Sequence, residues 1–253
     1  MNNAIYKNNI SRFLLKDLFD QQWVLPNNVP FFLRIFFSFI ERIILKPDCS
    51  SIRIDRPIFI ISLPRSGSSM LQDLLCTHRD VAYINNMMHI YSPYYCGADY
   101  LRKSLNLGVE GERFLRDSVS VSGRTPSDPV AVWNRWYKLD PEDLTYEPLQ
   151  LQSLSTQQIT KIKQEIKRIL WCFNSMGGAR FVSKNPGLMP YISLTSELFP
   201  DARFIYLVRD PRNNANSMLK LYQMCEAQRK RLSWAAPKLI PFPRLPELKD
   251  LID

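Results

Sequence analysis

The chain has 253 residues, 45% of them hydrophobic and 23% charged, with a net charge of +9 at neutral pH. That is enough to bury one substantial α/β core, and the basic excess suits a polyanionic ligand. The five cysteines (Cys49, Cys76, Cys96, Cys172, Cys225) are widely spaced, odd in number and without a C-x-x-C pair. This spacing favours free thiols in a reducing, cytoplasmic setting over a disulfide scaffold or a zinc site.

In chain order, Met1 to Ile10 is polar and is no signal peptide. Residues 1–50 read as a helical N-terminal extension. Within it, Val29 to Leu45 is apolar and aromatic but interrupted by Arg34, Glu41 and Arg42. A membrane-spanning helix wants about 20 mainly apolar residues, so an amphipathic helix is expected. It either packs on the domain or lies at a membrane interface. Next, Ile58-Phe59-Ile60-Ile61 after Pro57 reads as a strand buried on both faces. Its loop, Pro64-Arg65-Ser66-Gly67-Ser68-Ser69, then opens a helix. Gly67 lets the backbone close around a ligand, and the free N–H groups of the helix start attract an anion. Ser66, Ser68 and Ser69 add hydroxyl donors and Arg65 a charged fork. This is a phosphate or sulfate cradle, but it lacks the lysine and the spacing of a Walker A loop.

Residues 85–155 are irregular and aromatic, with Tyr91, Tyr94, Tyr95, Trp133, Trp136 and Tyr137. Such an insertion builds a ligand pocket or packs a long loop region. Gln158 to Trp171 reads as an amphipathic helix. Arg180 to Lys184 is a short strand, followed by a helical stretch from Leu188 to Leu198. Phe204 to Val208 is a further buried strand, with Arg209 at its tip. Pro211 suits the first turn of the next helix. Ser217 falls roughly 9 Å along that helix at about 1.5 Å per residue. Arginine at a strand tip and serine on the following helix can converge on a second phosphate, and ligands of open parallel sheets bind at those tips. Arg229-Lys230-Arg231 is the one dense basic block, and no nucleic-acid motif accompanies it.

The pair "PRSGSS" and "KNP…LFPDARFIYLVRDPRNNANSM" resembles the sulfotransferases that use 3′-phosphoadenosine-5′-phosphosulfate (PAPS), in pattern the bacterial group and its tyrosylprotein-type relatives. The resemblance covers about residues 52–225. It implies an α/β fold, a P-loop-like central parallel sheet flanked by helices, in a single domain over 1–253. Residues 226–253 then form a partial C-terminal segment of an apparently truncated chain. It further implies that Arg65, Ser66, Gly67, Ser68 and Ser69 hold the 5′-phosphosulfate. Arg209 and Ser217, helped by Arg212, hold the 3′-phosphate, and Lys184 lies near the transferring group. The expected activity is sulfuryl transfer from PAPS to an acceptor hydroxyl or amine, without a metal. Family members place a glutamate or histidine after the first helix as general base. Here His89 is the natural candidate, and Asp128 is the alternative, unless it caps the helix from Val130. A kinase-like phosphoryl transferase and an inactive PAPS-binding remnant are the competing readings.

Overall fold

A computed structural model describes residues 10–11, 13–15, 29–107, 109–112, 119–139, 149–173 and 179–232. Helix α1 (Phe31–Phe39) runs into a π-helical turn, Ile40–Leu45. Strand β1 (Ile58–Ser62) follows, then α2 (Ser68–Cys76), β2 (Val81–Tyr83), α3 (Asn86–Ile90) and α4 (Tyr95–Ser104). An antiparallel hairpin, β3 (Glu110–Glu112) and β4 (Ser120–Ser122), precedes α5 (Val130–Tyr137) and α6 (Thr156–Phe173). Strand β5 (Arg180–Lys184), a 3₁₀ segment (Pro186–Tyr191), α7 (Ile192–Leu198), β6 (Arg203–Leu207) and α8 (Pro211–Leu232) complete the described chain.

The central sheet is parallel, in the order β2-β5-β1-β6. It is flanked by helices, as the sequence implies. β1 is its middle: Ile60 lies opposite both Lys184 and Ile205, and Ser62 opposite Leu207. The unbroken apolar pattern of β1 has the expected cause, since Phe59 and Ile60 point to opposite faces and both are fully buried. Phe59 packs on Trp133, Phe181, Phe199 and Phe204, with ring centroids 5.7–6.3 Å apart. On the other face, Ile60 and Val182 pack with Leu71 and Leu75 of α2.

Three sequence expectations change. β6 is not buried: Tyr206 is 62% exposed, because among the described residues β6 is an edge strand paired only with β1. The helix expected over 188–198 is split, because Pro190 has no N–H and the stretch up to Tyr191 winds as 3₁₀. The helix expected over 158–171 starts earlier, at Thr156, where the Ser155 hydroxyl accepts from the Gln158 N–H at 3.2 Å.

The aromatic insertion serves the core rather than an open pocket. Trp133, Trp136, Tyr137 and Tyr95 are fully buried beside the Ile162, Ile166 and Ile169 stripe of α6. The Glu165 carboxylate, buried on that helix, accepts from the Tyr95 hydroxyl (2.7 Å), the Trp136 indole (2.6 Å) and Arg135 (2.8 Å). A second cluster seats α1 on α3 and α4 through Leu33, Phe37, Met87, Tyr91 and Ala98. Cys49, Cys76, Cys96 and Cys172 are free thiols; the side chain of Cys225 and the segment 233–253 lie outside the described residues.

Phe59→Ala is expected to lower folding stability by about 3–5 kcal/mol, because it empties the contact point of four aromatic rings. The midpoint of chemical denaturation measures this.

Candidate active site

The sheet order positions the site. From β1 the chain passes to β2 on one side, and β6 lies on the other. The C-terminal tip of β1 therefore stands at a switch point, where open parallel sheets leave a crevice. The loop Leu63–Gly67 fills that tip and delivers the chain to α2. Arg65 (φ 65°) and Gly67 (φ 91°) are both left-handed. Backbone turns of this kind aim successive N–H groups at one concavity, a common anion site. A Cβ at Gly67 would meet nothing within 4 Å, so glycine is needed there for its φ and not for space. No side chain caps the N-terminus of α2 among the described residues, so its leading N–H groups are available to an anion.

The two motifs meet across the sheet. Arg65 Nε donates to Ser217 Oγ at 3.2 Å, and Arg209 Nη1 donates to the Arg65 carbonyl at 2.6 Å. Ser66 Oγ donates to the Leu63 carbonyl at 2.7 Å. Asn214 braces the loop from α8, its amide donating to the Pro64 carbonyl (2.9 Å) and to Ser66 Oγ (3.1 Å). The sequence reading passed over Asn214, although it lies three residues before Ser217 and so shares its helix face. Arg212 turns elsewhere and pairs with Asp210 at 3.0 Å.

Lys184 is not a solvated strand-end charge. It is 3% exposed, and its ammonium donates to Ser69 Oγ at 3.0 Å and pairs with the Asp128 carboxylate. Asp128 therefore is not a helix cap: the N-cap of α5 is Pro129 and has no side-chain cap bond. The side chain of Asp128 keeps 37% of its surface open. Beside it, Ser127 is held by Gln72, whose amide donates to the Ser127 carbonyl at 3.3 Å.

His89 sits behind this pair. Its Nδ1 is 2.7 Å from Ser127 Oγ, and its Nε2 is buried with no hydrogen-bond partner among the described residues. Burial holds its pKa down at about 4; Asp128 opposes that shift and Arg135 adds to it. The imidazole is thus neutral near pH 7, and its Nε2 has no open path to an acceptor. His78 lies past the end of α2, exposed and near Asp80 at 3.9 Å.

Fold and site together define an α/β protein in which a glycine-punctuated hydroxyl loop, a buried lysine, an arginine beyond β6 and a serine of α8 meet at the C-terminal ends of the parallel strands. The sulfotransferase family model matches residues 57–236. The chain belongs to the sulfotransferase family. Similar solved structures are sulfotransferase STF9 from Mycobacterium avium (17% identity, TM-score 0.44, 76% of this chain and 51% of that one) and sulfotransferase STF1 from Mycobacterium tuberculosis H37Rv (17%, 0.43, 78% and 55%). The chain spans about half the length of each. No curated protein matches it.

Two outcomes are expected from this geometry. Gly67→Ala strains a left-handed position and costs about 1–2 kcal/mol, measurable by thermal unfolding. For His89 the folded pKa is about 4 against an ordinary 6.5. Its contribution to stability is therefore complete above about pH 6.5 and is lost as pH falls toward about 4, by on the order of 3 kcal/mol. Denaturation midpoints across that range should fall for the native chain and stay flatter for His89→Gln.

Proposed function

We propose that this sulfotransferase-family chain transfers a sulfuryl group from PAPS to an acceptor hydroxyl or amine. The observation that carries this reading is the convergence of the Arg65–Ser69 loop with Arg209 and Ser217 through direct hydrogen bonds. Two anion-binding elements side by side suit a donor with phosphates at both ends of a nucleoside. The residues fit such a donor: uncapped α2 N–H groups, the Ser69 hydroxyl and Arg65 for the 5′ end, and Arg209 with Ser217 for the 3′-phosphate. Ser66 can join only by leaving the Leu63 carbonyl, and Ser68 is 4% exposed. Arg212 can join only by leaving Asp210.

The bound donor supplies an activated sulfuryl group. Arg65 and the α2 N-terminus stabilise negative charge on the bridging oxygen, and they are already oriented before reaction. Arg65 cannot supply a proton, because guanidinium stays protonated. Lys184 can both stabilise charge and deliver a proton, and Ser69 and Asp128 hold its ammonium at the loop. Asp128 is the better base of the two candidates, because its carboxylate is partly open and touches Lys184. His89 then positions Ser127, next to Asp128, and does not touch the acceptor. The free thiols fit a cytoplasmic setting.

Calorimetric titration with adenosine 3′,5′-bisphosphate, against ATP and 5′-AMP, tests the reading. Micromolar binding, at least about tenfold selective for the 3′-phosphate, is expected. Binding of ATP as tight as that of the bisphosphate, or no binding by the folded chain, overturns it. Arg209→Ala should weaken that binding about tenfold or more by removing a charged hydrogen bond. Arg65→Ala should lower turnover by about 100-fold or more with the fold intact. Asp128→Asn should cost about 100-fold in kcat. His89→Gln should leave kcat within a few-fold of the native value.

A further inference from the structure

Helix α1 and its π-helical turn bury one side and leave an apolar side in water. Leu33, Phe37 and Ile40 face inward. Phe31, Phe32, Ile35, Phe36, Phe39 and Ile43 are all exposed, from 42% to 77%. At helical spacing these six residues fall on one continuous stripe. The π turn, closed by the Lys46 N–H on the Glu41 carbonyl at 2.9 Å, keeps Ile43 in line with Phe39. Phe13, stacked on Phe32 at 6.4 Å, extends the stripe and is itself 46% exposed. A stretch of large apolar side chains this long is far beyond the scattered exposure usual on a soluble surface.

Between residues 29 and 46 the exposed charges have one sign. Arg34, Ser38 and Arg42 line its flank and Lys46 stands at its end, all three basic residues exposed. The one carboxylate between residues 29 and 46, Glu41, is turned inward. Its Oε1 accepts from the Gly97 N–H at 3.0 Å near the start of α4. Its Oε2 lies 3.8 Å from Arg168 Nη1, so its carboxylate is held inside the protein and away from the exposed face. Apolar rings with a basic rim, and with no exposed carboxylate between residues 29 and 46, match the headgroup–acyl boundary of an anionic bilayer. They match a second copy of the same face less well, because it would bring Arg34 and Arg42 toward their own counterparts with no exposed carboxylate of that segment to receive them. Among the described residues no helix is long and apolar enough to cross a membrane, so the helix would lie in the surface.

We propose that the exposed face of α1 and its π turn docks this protein on an anionic membrane surface, with Phe32, Ile35, Phe36, Phe39 and Ile43 inserted and Arg34, Arg42 and Lys46 on the lipid headgroups. The opposite face supplies a rigid seat: the Phe37 ring packs tilted against Tyr91 at 5.1 Å and stacks on Tyr94 at 6.0 Å. The helix therefore rests on the segment that carries His89.

Vesicle co-sedimentation of the full chain tests the proposal, with phosphatidylcholine vesicles containing about one quarter phosphatidylserine and with pure phosphatidylcholine. Binding to the anionic vesicles that exceeds the pure ones by about tenfold is expected, weakening as salt rises. The double variant Ile35→Asp, Phe39→Asp should lose about tenfold or more of that binding. Arg42→Glu should lose nearly as much at low salt, and circular dichroism should show both variants folded. Failure of the native chain to sediment with anionic vesicles overturns the proposal, as does full binding by the double variant. A dimer in sedimentation velocity without lipid, broken by the double variant, assigns the face to a second copy and also overturns it.

Discussion

A lysine ammonium cannot be buried without an acid or a set of acceptors to hold it. At the tip of β5, Lys184 is held by the Asp128 carboxylate and the Ser69 hydroxyl. That requirement ties three parts of the chain together. β5 supplies the cation, the first turn of α2 supplies Ser69, and the segment before α5 supplies Asp128. The β1–α2 loop is thereby locked to the strand beside it on one flank. Asn214, Arg209 and Ser217 lock it on the other flank, from beyond β6 and from α8. The site is the place where β1 is clamped between these two neighbours.

The packing beneath makes that clamp rigid. Phe59 fills the face of β1 that looks toward α5 and α6, and its four aromatic neighbours come from α5, β5, β6 and the α7–β6 connection. The Glu165 carboxylate gathers Tyr95, Trp136 and Arg135, so α4, α5 and α6 share one buried polar centre. Buried networks of this sort hold their members in one arrangement when their main partners are satisfied. The segment that places Ser127 and Asp128 enters α5 directly, so its position follows from that anchoring.

Much of this was legible in local sequence. β1 could be read because an unbroken apolar run bounded by Pro57 and a Ser/Gly loop has few other solutions. The α6 stripe could be read because Ile162, Ile166 and Ile169 repeat at helical spacing. The exposure of β6 was not legible, because Phe204 to Leu207 has the composition of a buried strand and burial depends on what lies beyond it. The 3₁₀ start before α7 was written in Pro190, though the apolar periodicity masked it. The role of Asp128 was ambiguous for a similar reason. An aspartate before Val130 has a local use as a cap, and only the distant approach of Lys184 draws its side chain away.

The sequence alone therefore determined the residue chemistry and the local order: a strand, a glycine-punctuated hydroxyl loop and a helix, then a strand-tip lysine and a strand-tip arginine with a following serine. Those features depend on neighbours a few positions apart, where backbone geometry and side-chain spacing decide. The tertiary structure decided which of these residues touch. Pairing of β1 with β5 and β6 brings Arg65 to Ser217 across 152 positions and Lys184 to Ser69 across 115. It also desolvated the imidazole of His89, which stays neutral, and paired the Asp128 carboxylate with Lys184 while leaving that side chain partly exposed, because desolvation and long-range charge pairing arise only when the chain is packed.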